Sequence, residues 1–233
     1  MSPTEFVEAV QSALEPHRDA EKAAPMVRYM RDHFPFLGLK RPEFQLLVKP
    51  ILTAAKPVAD GAWLAEAARL LWALPEREYA YVAVDLLAKY QKSLTPSSLP
   101  LLRELITTNS WWDSVDGVVG AVLSPLTLRL PELQAQMDEW SRDENFWLRR
   151  AAILHQLKHH KATDSERLFA YCRANAADPE FFIRKAIGWA LRTYAYTDPL
   201  AVRAFVEANK AQLSGLSVRE ALKHVIVPPP GGG

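Results

Sequence analysis

The chain predicts an all-α fold, an α-solenoid of stacked helix pairs, on three observations. Apolar residues recur with helical spacing in segments of roughly 10–16 residues that follow one another from end to end. No stretch alternates with the period of two that a half-buried strand needs, and only 9 of the 233 residues are Gly, too few for a hairpin-rich fold. A weak internal repeat runs through the middle. Phe146-Trp147-Leu148-Arg149-Arg150-Ala151 returns 35 residues later as Phe181-Phe182-Ile183-Arg184-Lys185-Ala186, and Trp111 lies 36 residues before Trp147. A period of roughly 35–40 residues made of two helices is the signature of a curved helical array.

Taken in order, Ser2 and Glu5 form a capping box at the first helix. Pro3, Pro25, Pro42, Pro131 and Pro199 each stand where a first helical turn would start, the position at which a missing N–H costs least. Breaks fall near Glu15-Pro16-His17, Phe34–Lys40, Lys56–Asp60, Leu74-Pro75, Thr95–Ser98, Thr107–Ser110, Asp143–Asn145, Ala176–Pro179, Thr197–Pro199 and Leu213–Leu216. About 12 helices result, in a single domain over residues 1–226. The end of the chain, 227–233, is a Pro/Gly tail predicted to be disordered. Trp63, Trp72 and Trp140 read as packing residues between helices, and Tyr79 and Tyr81 point to opposite sides of theirs.

Composition narrows the classes. No apolar run approaches the ~18 residues of a membrane span, and the N-terminus lacks the basic and apolar regions of a signal peptide. Cys172 is the only cysteine, which excludes an internal disulfide framework and fits a reducing, cytoplasmic setting. The net charge of +1 hides an asymmetry: residues 1–143 carry 15 Lys and Arg against 19 Asp and Glu, residues 144–224 carry 13 against 8. The second half therefore offers a basic surface, either a solvated face or a phosphate-binding one.

Residues 110–119, Ser-Trp-Trp-Asp-Ser-Val-Asp-Gly-Val-Val, carry the most chemistry. On a helix, Trp111, Val115, Val118 and Val122 make an apolar stripe. Trp112 and Asp116, four residues apart, stack on a neighbouring face. An aromatic face beside a carboxylate attracts a cation, or a centre that becomes cationic during a reaction. The plainer reading is a packed Trp and a surface acid. Asp113 has its own explanation, because Ser110 three residues before it makes a capping-box pattern at the helix start.

The repeat places Arg150 and Lys185 at equivalent positions on successive second helices, which line the concave surface of such arrays. Trp189 follows Lys185 at i+4 and precedes Arg192 at i+3, so a basic–aromatic–basic ladder occupies one helix face. His155 and His159, with His160, read as members of one helix in a solvated or basic-groove setting. No carboxylate or Cys cluster completes a metal site around them, and no cofactor is implied. Glycine-rich phosphate loops and nucleophile elbows are missing from the sequence.

With these residues assembled, the chain resembles the AlkD-type alkylpurine DNA glycosylases, the family of DNA alkylation repair enzymes. The resemblance rests on residues 25–30, 36–38, 74–78, 110–116, 147–154, 181–189 and 219–224, in the expected order. It implies an arc of HEAT-like helix pairs holding double-stranded DNA in its concave face. The implied activity is hydrolysis of the N-glycosidic bond of cationic N3- and N7-alkylated purines; the alternatives are a non-catalytic HEAT-repeat protein that binds branched or distorted DNA and a protein-interaction solenoid, and a monomer is expected. It further implies a catalytic carboxylate at Asp116, aromatic walls at Trp112 and Trp189, and DNA contacts from Arg150 and Tyr29. Lys185 and Arg192 are added to the DNA-binding set by the ladder rather than by the resemblance.

Overall fold

The computed structural model describes residues 1–225; the tail predicted over 227–233 lies outside them. Among the described residues there is no strand, and fourteen α-helices follow in order. They are α1 (Pro3–Leu14), α2 (Ala20–Tyr29), α3 (Arg41–Ala54), α4 (Gly61–Trp72), α5 (Arg77–Lys89), α6 (Leu99–Thr107) and α7 (Trp112–Val118). There follow α8 (Ser124–Arg129), α9 (Gln134–Trp140), α10 (Phe146–Leu154), α11 (Ser165–Ala174), α12 (Phe181–Ala195), α13 (Pro199–Asn209) and α14 (Gly215–Leu222). The chain divides into two compact units, Met1–Val122 and the part from Leu123 onward.

The helix starts follow local chemistry. Ser2 accepts from the Glu5 N–H at 3.2 Å while Glu5 accepts from the Ser2 N–H at 2.7 Å, closing the predicted capping box. Asp19, Asp60, Asp164, Asp198 and Ser214 cap α2, α4, α11, α13 and α14 through their side chains. Pro3, Pro42 and Pro199 sit in first turns as expected. Pro25 does not: Asp19 starts α2 earlier than the proline would, leaving Pro25 inside the helix.

In the first unit α4 packs on α5 and α6 on α7, and the second members of these pairs, α5 and α7, pack on each other. In the second unit α10 packs on α12 and α12 on α14, again joining second members of successive pairs. The buried polar contacts carry the same period. Arg77 reaches Asp113 across 36 residues and the Trp72 indole donates to the Thr108 carbonyl across 36. Asn175 donates to the Ser141 carbonyl across 34, and Ser217 to the Arg184 carbonyl across 33. The apolar stripes supply the core between helices, with Phe6, Leu14, Phe44, Leu64, Tyr79, Leu86 and Leu102 fully buried in the first unit. Leu148, Cys172, Ile183, Ile187 and Val202 do the same in the second. Trp63, Trp72 and Trp140 are buried as packing residues, and Tyr79 is fully buried while Tyr81 is only partly so.

The histidines depart from expectation. Helix α10 ends at Leu154, so His155 and His159 lie in a turn beyond it, and His160 begins a 3-10 turn with φ +49°. Both His155 and His159 are buried rather than solvated. His155 Nδ1 lies 2.6 Å from the Ala152 carbonyl and Nε2 2.9 Å from Gln134 Oε1; His159 Nε2 lies 2.9 Å from the Ser124 carbonyl. They serve as hydrogen-bonding core residues that close a polar turn. Burial pushes the His155 imidazole down to about 3 and lowers that of His159.

Candidate nucleic-acid site

Helix α7 presents the 110–119 motif. The valines of the predicted stripe are fully buried, Val115 and Val118 on α7 and Val122 just beyond its end. Trp111 is only partly buried and stands just outside the helix, its ring 4.4 Å from that of His33. Trp112 opens the helix and Asp116 lies one turn further, both partly exposed. Tyr29, 70% exposed at the end of α2, meets Trp112 edge to face at 5.9 Å between ring centroids. The structure therefore brings the predicted Tyr29 and Trp112 together in the first unit.

The loop that follows Tyr29 is held by a buried clamp. Glu78 on α5 is fully buried, and its carboxylate accepts the N–H groups of Leu37, Gly38 and Leu39 at 3.0, 2.9 and 3.1 Å. Burial raises its pKa, and the three amide donors work against that rise. Gly38 has φ +95°, and a Cβ there would stand 2.2 Å from the Asp19 carbonyl oxygen, so the loop after α2 closes only on glycine. The same loop carries Met30 and Phe36 into a small cluster against which Trp111, Trp112 and Tyr81 pack.

Asp113 is not a cap. Trp111 occupies the cap position and makes no side-chain cap bond, and the Ser110 hydroxyl donates to the Ile106 carbonyl instead. Arg77 on α5 claims Asp113 through two hydrogen bonds of 2.9 and 2.8 Å, and the Tyr81 hydroxyl donates to it at 2.6 Å. The side chains of the ion pair are 2% and 7% exposed. Burial alone would push the Asp113 carboxyl up, but Arg77 and Tyr81 outweigh it and hold it below the ordinary range. Arg77 also stacks over Phe34, 3.8 Å from the ring centroid, and donates to the Asn109 carbonyl at 2.8 Å. The correction has a physical cause: a buried guanidinium one repeat back binds the acid more strongly than a helix start does.

In the second unit Arg150 and Lys185 do occupy second helices of successive pairs, α10 and α12, which begin at Phe146 and Phe181 as the repeat requires. Their surroundings differ. Arg150 is buried, donates to the Phe182 carbonyl at 2.5 Å and lies over the Phe182 ring. Lys185, Trp189 and Arg192 are partly exposed along α12. Glu220, on α14, pairs with Lys185 at 2.9 Å through one carboxylate oxygen and with Arg192 through the other. These partners, Lys185 foremost, hold its carboxyl below the usual range. Sequence reasoning missed Glu220, although it follows Lys185 by the repeat spacing and sits in a stretch already matched to the family.

Fold and site together define a class: an all-helical repeat protein with an aromatic–carboxylate pair on one repeat helix and an aromatic bracketed by cations on another. A family model described as "DNA alkylation repair enzyme" matches residues 10–225, and the chain belongs to that family. It is also similar to a solved structure of a "Predicted DNA alkylation repair enzyme from Enterococcus faecalis". The identity is 32% over 89% of this chain and 96% of that one, with a TM-score of 0.83. A search of curated proteins returned no match. No helix among the described residues is long and apolar enough to cross a membrane.

Proposed function

We propose that the protein is a DNA glycosylase that hydrolyses the N-glycosidic bond of cationic N3- and N7-alkylated purines in double-stranded DNA, acting as a monomer. The observation that carries this reading is Trp112 and Asp116, one turn apart and partly exposed on α7, with Tyr29 against the indole. Membership of a DNA alkylation repair family supports alkylated DNA as the substrate.

The chemistry suits these groups. An alkylated purine bears a positive charge and is already a good leaving group, so no strong general acid is required. When the C1′–N bond breaks, its electron pair goes to the purine, which leaves neutral, and the positive charge passes to the deoxyribose. Asp116 stabilises that oxocarbenium-like centre and orients a water; the C1′–O bond forms from the water, whose proton passes to the carboxylate and then to solvent. The Trp112 and Trp189 rings favour a cationic nucleotide over a neutral one. Lys185, Arg192 and Tyr29 hold the backbone near the lesion and fix register without reading sequence, while Arg150, buried against Phe182, holds the start of α12 in place.

The test is release of methylated base from alkylated duplex DNA under single-turnover conditions. Asp116→Asn is expected to slow release by roughly 10²–10³-fold with an unchanged melting temperature. Uracil and 8-oxoguanine, both neutral, should stay in place. Efficient release of uracil, or an Asp116→Asn variant as fast as the parent, would defeat the reading and leave a protein that binds DNA without cutting the glycosidic bond.

A further inference from the structure

Lys185 and Arg192 flank Trp189 along α12, and both are already engaged by one acid. Glu220 contacts Lys185 Nζ at 2.9 Å with Oε1 and the Arg192 guanidinium with Oε2. A carboxylate spread across two cations resembles the way two non-bridging oxygens of a phosphodiester would meet them. The arrangement is built into the packing. Gly188 lies between the two cations, and a Cβ there would stand 2.4 Å from Glu220 Cβ, so α14 lies directly against α12 at that glycine. The buried Ser217 hydroxyl, one turn before Glu220, donates to the Arg184 carbonyl at 2.9 Å and fixes the register of the two helices. The cluster is not sealed: Lys185, Arg192 and Glu220 side chains are 38%, 21% and 18% exposed. An anion arriving from solvent can therefore reach the same cations.

We propose that Glu220 is an internal phosphate mimic, occupying in the free protein the place of a DNA phosphodiester between Lys185 and Arg192 and so restraining DNA binding. The inference rests on the reading of this helix as DNA-contacting. A backbone phosphate must displace the carboxylate to gain both cations. The exchange costs an ion pair for each one formed, so these residues add little to affinity for arbitrary duplex.

The experiment is a salt titration of binding to undamaged duplex by the full chain, with melting temperature recorded for each variant. Glu220→Gln is expected to steepen the salt dependence by up to two phosphate contacts. That corresponds to roughly a tenfold larger ratio of affinities between about 50 and 200 mM salt. Adding Lys185→Ala to Glu220→Gln should remove about half of that gain on a logarithmic scale. Glu220→Asp keeps the charge but is one methylene too short to span both cations, and should steepen the slope less. A purely structural Glu220 would lower the melting temperature and leave the slope as it was. A Glu220→Gln slope equal to that of the parent overturns the proposal; if that variant does not fold, an unchanged Glu220→Asp slope does so. Base release by the unaltered protein is scored separately. Its absence defeats the glycosylase reading while the binding slopes still decide the role of Glu220.

Discussion

Asp113 in the first unit and Glu220 in the second are held alike and surrounded differently. Each is a carboxylate engaged by two side chains from a neighbouring second helix. Asp113 and Arg77 are 7% and 2% exposed, so nothing from solvent competes for either group. Glu220 and Lys185 remain open at 18% and 38%. Ion pairing alone therefore says little about role. Burial turns one pair into a fixed strut under Trp112, and partial exposure leaves the other exchangeable for another anion.

Neutralising each acid should produce the largest and most unequal effects. Asp113→Asn leaves the Arg77 guanidinium buried without its counter-charge, and the loss of stability is expected to be about 3 kcal/mol or more. Glu220→Gln, at a partly exposed pair, should cost about 1 kcal/mol or less. Urea denaturation of both variants checks this, and equal midpoints would remove the distinction between strut and exchangeable pair.

Acid should separate the units next. His155 titrates at about 3 in the folded chain against 6.5 as an ordinary histidine. Between those values the unfolded chain binds the proton and the folded one does not. Its stabilising effect is whole above pH 6.5 and is lost as pH falls toward 3, at about 1.4 kcal/mol per pH unit. Asp113 is also depressed, from 3.8, so its contribution is lost only as pH falls below that ordinary value. Urea midpoints should fall between pH 6.5 and 4.5, with amide exchange in the turn after α10 rising before that around α7. His155→Gln should flatten the dependence. A midpoint constant over that range would show that the imidazole is not buried neutral.

The smallest effects are expected from the cations themselves. Arg150→Ala should lower the denaturation midpoint, because the side chain is buried against Phe182, and leave the salt dependence of DNA binding unchanged. Lys185→Ala should flatten it by one contact or less and leave the midpoint unchanged. A flatter slope for Arg150→Ala would mean that its guanidinium leaves the core to meet phosphate.

Features that repeat locally are legible in the residues themselves. Helical spacing, proline and capping signals placed most of the helices. The 35-residue echo of Phe146–Ala151 in 181–186 marked equivalent helix starts at Phe146 and Phe181. Matched stretches carried the family, and the pairing of Trp112 with Asp116 needed only helical geometry. What the tertiary structure decided are contacts one repeat apart. Ser110 and Asp113 look like a cap because a cap is a local device, yet Arg77 takes Asp113 from 36 residues away. His155 and His159 look solvated because polar residues in a basic stretch usually are, yet the Ala152 carbonyl, the Gln134 amide on α9 and the Ser124 carbonyl on α8 satisfy them in the core. Nothing in their immediate neighbours marks Glu78 or Glu220 as more than a solvated acid. One is instead the anchor of the loop behind Tyr29, and the other bridges two cations across a glycine contact. Periodicity is written in neighbouring residues and can be read there; the partner of a charge depends on which helix faces it and how much water remains between them.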